Sequence, residues 1–251
     1  MIDRKTKQRP CPGGVSIGHY QVTAGTLGCW VKKNGQSMML SNNHVLANVN
    51  QADIGDPIYQ PGAYDGGTSA DEIGKLYRYV PISMTKLSNC PIAGFIAASL
   101  NFVSRIFGRK TRLIAYAPGE SNKVDCAIAE PNSGVDVLDR ILEDDGTLIR
   151  IDGETEAKVG LLVKKSGRTT GTTRGIISQT DVTVNVNMGD SKIAIFTDQV
   201  VVEKEGMSAG GDSGSAVLTE DNRLVGLLFA GSDKAMIANR WSNVKETLGL
   251  D

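Results

Sequence analysis

The sequence is short of histidine, cysteine and aromatic residues, and each shortage removes a class of function. Two histidines, His19 and His44, and four cysteines, Cys11, Cys29, Cys90 and Cys126, occur in 251 residues. No two cysteines form a C-x-x-C pair and no metal-ligand spacing is present, so no metal site is expected. Aromatics make up 5% of the chain against 29 glycines, a balance that suits short strands and tight turns better than a helical bundle. An excess of charge of one sign is also missing. The net charge of −1 leaves no overall footprint for nucleic acid or an anionic membrane. No apolar run approaches the roughly 20 residues of a membrane span. The first residues, MIDRKTKQRPCPGG, have charges but no apolar centre, so no secretory signal is expected.

What is present reads as strands. Segments 25–32, 37–42, 73–80, 123–129, 158–165, 175–187, 192–203, 214–219 and 223–230 are bounded mostly by Gly, Asn, Asp or Pro. The stretch TDVTVNVN at 180–187 alternates polar and apolar, the period of a half-exposed strand, and NMGDS then reads as a hairpin connection. Many antiparallel strands at short spacing predict a barrel or sandwich. Two segments break the rhythm. The run from Pro91 to Phe107 places Ile92, Phe95, Ile96, Leu100, Val103 and Ile106 at helical spacing, with Gly108 as a stop signal. It reads as a helix packed on the barrel, or as a contact for a second copy or a membrane surface. Residues 237–248 read as a short closing helix.

The stretch SAGGDSGSAV at 208–217 sets Ser213 on a glycine-rich turn before an apolar strand. Such a turn presents a hydroxyl while neighbouring N–H groups converge on one point, the geometry of an acyl-transfer nucleophile. A plain hairpin turn fits those residues equally well, so other residues must decide. His44, in LSNNHV just after an apolar strand, is placed to act as a base; His19 lacks such a setting. Asp125 opens an apolar strand, an odd place for an acid without a partner.

His44, Asp125 and Ser213 follow the chain order of the chymotrypsin-type serine proteases. LSNNHV resembles that family's histidine loop and GDSG at 211–214 its nucleophile turn. VKKSGRTTGTTRG at 163–175 resembles the SGRTTG strand of the bacterial streptogrisin and α-lytic members. LSNNHVLAN and GLLFAGSD also resemble bacterial relatives of the plant Narrow Leaf type peptidases.

The resemblance implies two six-stranded barrels with an inserted helix and a C-terminal helix. The first barrel would occupy about 15–85, the insertion about 86–120, and the remaining strands, second barrel and last helix about 121–251. It implies a serine endopeptidase acting on polypeptides, with His44 as base, Asp125 orienting it, Ser213 as nucleophile, and Gly211 and Ser213 N–H groups as the oxyanion hole. No metal or organic cofactor is implied. A silent binding or scaffold protein, or an esterase using the same residues, stays open. The pocket base aligns with Met207, which argues for uncharged apolar side chains, although Asp233 is near enough to add charge. The walls align with Ser208, Ala209, Gly210, Phe229, Ala230 and Gly231. Asp212 needs a cation; the matching position is Lys165, with Arg168 as reserve. The family's disulfide positions are Lys164, Arg174 and Val45 here, which predicts reduced thiols and a cytoplasmic setting. The family's serine beside the triad acid is Phe229 here. His44 and Asp125 are 81 positions apart, a long interval for the family, and the predicted helix fills the excess. Self-association through that helix, from Pro91 to Phe107, is a further expectation.

Overall fold

The computed structural model describes residues 2–22, 24–109, 113, 115–117, 119–189 and 192–251. Strands Ser16–His19, Gly25–Thr26, Cys29–Lys33, Gln36–Ser41, Pro57–Tyr59, Glu72–Tyr79 and Ala127–Pro131 form one antiparallel sheet. Its two outer strands, Gly25–Thr26 and Cys29–Lys33, are neighbours in the chain, separated only by Leu27 and Gly28. Across that break Leu27 N–H still reaches Val15 O at 2.9 Å, while Gly28 N–H reaches Leu40 O at 2.9 Å. One run of chain therefore pairs with the first strand and then crosses to the far side of the sheet, closing it. Counted as one strand, it gives the six-stranded barrel that the sequence predicts. Glycine is required at the crossing, because a Cβ on Gly28 would lie 2.3 Å from Gly214 O.

The second half repeats the device. Leu162–Gly167, Gly171–Ile176, Gln179–Asn187, Ile193–Glu203, Ala216–Thr219, Leu224–Ser232 and Ala235–Arg240 form the other antiparallel sheet. Its outer strands, Gly171–Ile176 and Gln179–Asn187, are again consecutive. Ile177 N–H bonds Leu161 O at 3.0 Å and Ser178 N–H bonds Val201 O at 2.9 Å, so this barrel also closes on a broken strand. Between the barrels, Met38, Leu40 and Ile128 of the first meet Ala216, Leu218 and Leu227 of the second. The C-terminal helix Trp241–Leu248 seals that core with Trp241, Val244 and Leu248. The spacing i, i+3, i+7 puts those three on one face.

Two details depart from the sequence reading. Residues 237–240 continue the strand Ala235–Arg240, in which Met236 and Ala238 are buried, and the helix begins only at Trp241. A three-stranded sheet of Cys11–Gly13, Val137–Leu142 and Leu148–Ile149 lacked a periodic signal; its first pairing is parallel.

All four cysteines are free thiols, three buried and Cys90 exposed. Burial pushes the Cys11 and Cys29 thiols up to about 12. Lys164 and Arg174, where the resemblance puts a disulfide, stand directly opposite each other across two strands. Like charges so placed would repel, and each is taken by its own acid: Lys164 by Glu143 at 2.9 Å, Arg174 by Glu220 at 3.2 Å.

Candidate active site

The strand Gln36–Ser41 ends in a single helical turn, Asn43–Leu46, which carries His44 at the rim of the cleft. Asn43 pins the turn by donating to Asn50 Oδ1 and to Val80 O, each at 2.7 Å. His44 Nδ1 lies 2.6 Å from Asp125 Oδ2, and His44 N–H donates to Asp125 Oδ1 at 3.3 Å. An ionised carboxylate only accepts, so Nδ1 bears the proton and Nε2 is left as the basic nitrogen.

Asp125 is completely buried, and its backbone is anchored from three sides. Its N–H donates to Asn239 Oδ1 at 2.9 Å, while its carbonyl accepts from Asn42 Nδ2 at 2.7 Å and Asn239 Nδ2 at 3.2 Å. Among the described residues, both donors to the carboxylate come from His44. Phe229 supplies no hydroxyl there, as its alignment predicts. The burial of His44 pulls its pKa down, but the Asp125 charge and the hydrogen bond outweigh that and hold it above the ordinary imidazole value.

Ser213 comes from the second barrel and is seated against the first. Thr26 N–H donates to Ser213 O at 2.8 Å. At Gly25, a Cβ would meet both Val45, next to His44, and Ser213 O within 2.9 Å. The Ser213 hydroxyl donates to Phe229 O at 3.4 Å, and no hydrogen bond joins it to His44 among the described residues. Gly211 holds φ +96°, and neither Gly211 N–H nor Ser213 N–H is committed to an acceptor among the described residues.

The SGRTTG segment is the receptor for Asp212. Thr169 N–H at 2.8 Å and Thr170 N–H at 3.1 Å donate to Asp212 Oδ1. Thr170 Oγ1 at 2.6 Å, Ala209 N–H at 3.0 Å and Lys165 Nζ at 3.2 Å donate to Asp212 Oδ2. Burial raises the Asp212 pKa, but the Lys165 charge and these donors outweigh it and hold the carboxyl below its usual range. Lys165, fully buried, is thus the cation that the sequence points to.

Arg168 is not the reserve partner of Asp212. Its Nε and Nη2 grip Asp65, a residue of the first barrel's Gly62–Gly66 loop, in a bidentate pair, and its guanidinium is 5.4 Å from the Tyr64 ring centre. The same residue orients two hydroxyls. Arg168 Nη1 donates to Thr169 Oγ1 at 3.0 Å, and Arg168 N–H donates to Thr26 Oγ1 at 3.0 Å. Each hydroxyl in turn donates a hydrogen bond to the nucleophile loop, Thr169 to Gly210 O at 2.8 Å and Thr26 to Gly211 O at 2.9 Å. In a trans peptide C=O and N–H point opposite ways. Holding Gly210 O on Thr169 therefore turns Gly211 N–H away from Thr169, toward the free side of the loop. Sequence reasoning missed Asp65, Thr26 and Thr169, because the contacts span up to 185 positions.

The pocket differs from its alignment. A cavity of about 320 Å³ is lined by Ser208, Ala209, Gly210, Ser213, Leu228, Ala230, Gly231, Ser232 and Asp233. Met207 is not its base: only 1% exposed, it packs among Val163, Val217 and Met236 inside the second barrel. Phe229 is not its wall either. Its ring packs tilted against that of Phe196, centres 4.7 Å apart, and the residue lines a separate cavity of about 380 Å³ with His44, Val22, Val49, Val186 and Met188. His19 is a structural residue, buried, with Nε2 3.0 Å from Asp56 and Nδ1 accepting from Gln21 N–H.

No family model and no curated protein matches the sequence. Solved structures do. A glutamic acid specific serine protease superposes with a TM-score of 0.62 at 18% identity, over 96% of this chain and 98% of its own. Thermobifida fusca Protease A gives 0.60 at 17% identity, over 96% of each chain. Cellulomonas bogoriensis chymotrypsin gives 0.59 at 17% identity, over 95% of this chain and 96% of its own. With both barrels closed and superposed over nearly their whole length, the chain has the chymotrypsin-like fold of these bacterial serine proteases.

Proposed function

We propose that the chain is a serine peptidase that hydrolyses peptide bonds through an acyl-enzyme. The observation that carries this reading is the junction of three groups that have no hydrogen-bond partner among the described residues. His44, oriented by Asp125 at 2.6 Å, offers Nε2, and Ser213 and Gly211 on the facing loop offer free N–H groups. In this reading the Ser213 hydroxyl leaves Phe229 O by rotation about its side-chain bond and gives its proton to His44 as Oγ attacks the substrate carbonyl. The resulting oxyanion takes the Gly211 and Ser213 N–H groups. His44 then returns the proton to the leaving amine, and water repeats the sequence on the ester.

The cavity beside Ser213 supports a polar or basic side chain at the cleavage site. Its lining is serine, glycine and alanine with Leu228, and its one charged side chain is Asp233. The free thiols support a reducing, cytoplasmic setting. One observation favours a second reading, a silent scaffold: the Ser213 hydroxyl rests on Phe229 O rather than on His44. A fluorophosphonate probe separates the two. Covalent labelling that Ser213→Ala abolishes upholds the peptidase, and no labelling of the native chain leaves the scaffold. Lys- and Arg-containing fluorogenic peptides, compared with Leu and Glu analogues, test the pocket; Asp233→Asn should lower the preference for the basic residues.

A further inference from the structure

The helix Pro91–Ile106 is mounted with the wrong face outward for a globular protein. Ile92, Phe95, Ile96, Phe102 and Ile106 are 52–74% exposed, and Leu100 and Val103 are about half exposed. The half-buried positions are Ala93, Ala97, Asn101 and Ser104, a single stripe of small and polar residues. Asn101 fastens that stripe to the chain itself, donating through Nδ2 to Leu113 O at 2.8 Å and accepting from Leu113 N–H at 2.7 Å. The amphipathic pattern that ordinarily seats a helix on its own core is inverted, and the broad apolar face has no partner in the chain among the described residues.

Charge decides what that face fits. The sequence from 81 to 119 contains no Asp or Glu and five basic residues, Lys86, Arg105, Arg109, Lys110 and Arg112, in a chain whose total is −1. The even balance of the whole chain conceals this local excess. A second copy of the segment would bring cation against cation with no acid to separate them. A lipid surface with anionic headgroups attracts this local excess of positive charge, and takes the exposed Arg105 at its headgroup level with the exposed Phe and Ile side chains below it. At 16 residues the helix is about 24 Å long, too short to cross the bilayer, and no helix of the described residues is long and apolar enough to do so.

We infer that the helix Pro91–Ile106 is an in-plane anchor for anionic lipid, holding the two-barrel body against a membrane surface. The inference stands apart from the peptidase reading, and a Ser213→Ala chain should bind like its parent. The test is co-sedimentation of the full chain with vesicles of phosphatidylcholine alone and of phosphatidylcholine and phosphatidylglycerol in equal parts. Binding is expected to the mixed vesicles, to fall at about 1 M salt, where the Debye length shrinks to about 3 Å, and to be much weaker on phosphatidylcholine alone. Because both side chains are exposed, Phe95→Ser with Phe102→Ser should leave the fold intact and weaken binding at least about tenfold. Arg105→Gln should weaken it about fivefold. Absence of binding to the mixed vesicles, or equal binding by the double variant, overturns the inference. A lipid-free dimer seen by light scattering and dissolved by the same double variant assigns the face to a second copy and overturns it as well.

Discussion

Replacing Thr169 by valine tests whether the nucleophile loop is held in its working shape from outside. Valine keeps the branched shape and loses the hydroxyl, so Gly210 O loses its donor at 2.8 Å and the Arg168 Nη1 donor loses its acceptor at 3.0 Å. Two limits bound the effect. Loss of the two hydrogen bonds with the loop unmoved costs about 1 kcal/mol each in stability and leaves kcat unchanged. If the 210–211 peptide turns over and Gly211 N–H leaves the oxyanion position, the loss is that of one oxyanion donor, about 10²–10³ in kcat. Thr26 still holds Gly211 O at 2.9 Å, which resists a full turn, so a fall of about 10–100-fold is expected between these limits. It should appear in kcat with KM little changed, because the donor acts on charge that exists only in the transition state. Thr169→Ser should keep activity within a few-fold. The assay is steady-state hydrolysis of a peptide ester or amide, with a urea melt to show that stability falls by only about 2 kcal/mol. A valine variant within two-fold of the parent in kcat would refute the relay from Arg168 to the oxyanion hole.

Other expectations follow from the same geometry. Lys165→Met leaves Asp212 buried with four uncharged donors, and a loss of about 3 kcal/mol is expected in denaturant melts, at the lower end for a broken buried pair. Because Asp212 is held below the ordinary carboxylate pKa, its contribution to stability is full above that value and is lost as pH falls through the folded pKa. In the Met variant that loss should begin at higher pH. His44 is held above the ordinary imidazole pKa, so its protonated form stabilises the fold at low pH, and that contribution fades as pH rises through the folded value. Its neutral form is the base. The acid limb of kcat/KM should therefore lie above the ordinary imidazole pKa and move down in Asp125→Asn. Ellman titration should count one accessible thiol, Cys90, in the native protein and four after denaturation; two missing thiols would establish a bridge.

Much of the candidate site is legible in the sequence because it is built from short local motifs. LSNNHV, GDSG and SGRTTG each specify a turn, and the turn specifies which group is presented. Lys165 follows from the resemblance of 163–175 to the bacterial strand, one position before SGRTTG. What escapes is whatever depends on two distant segments meeting. Asp65 and Arg168 are 103 positions apart, and no local pattern marks Asp65 as the acid that clamps the barrels. Met207 shows the opposite error: an alignment offset carries a residue to the pocket base, whereas the barrel core claims it. Periodicity identifies the Pro91–Ile106 helix but carries no sign of direction, since a moment says that one face is apolar and not that the face points inward. Both barrels were expected with six strands, and they have six once the broken strands at Leu27-Gly28 and Ile177-Ser178 are counted as single runs.

The pairing of Glu72–Tyr79 with Ala127–Pro131 has a consequence for how this chain can change. Tyr79 stands opposite Ala127 in an antiparallel ladder, so everything between them is, topologically, the loop of one hairpin. Loop closure becomes more costly only by about 0.6 kcal/mol for each doubling of length, so the barrel is nearly indifferent to what the hairpin carries. The outer part of that loop is in effect a cartridge, with its ends fixed by a ladder that does not register its contents. The limits are Val80 on the outgoing limb, which holds the His44 turn through Asn43, and Asp125 on the return limb, two residues before Ala127 and tied down by Asn42 and Asn239. An exchange that stops short of both could give the same two barrels a different address, or none, while the chemistry stayed where it is.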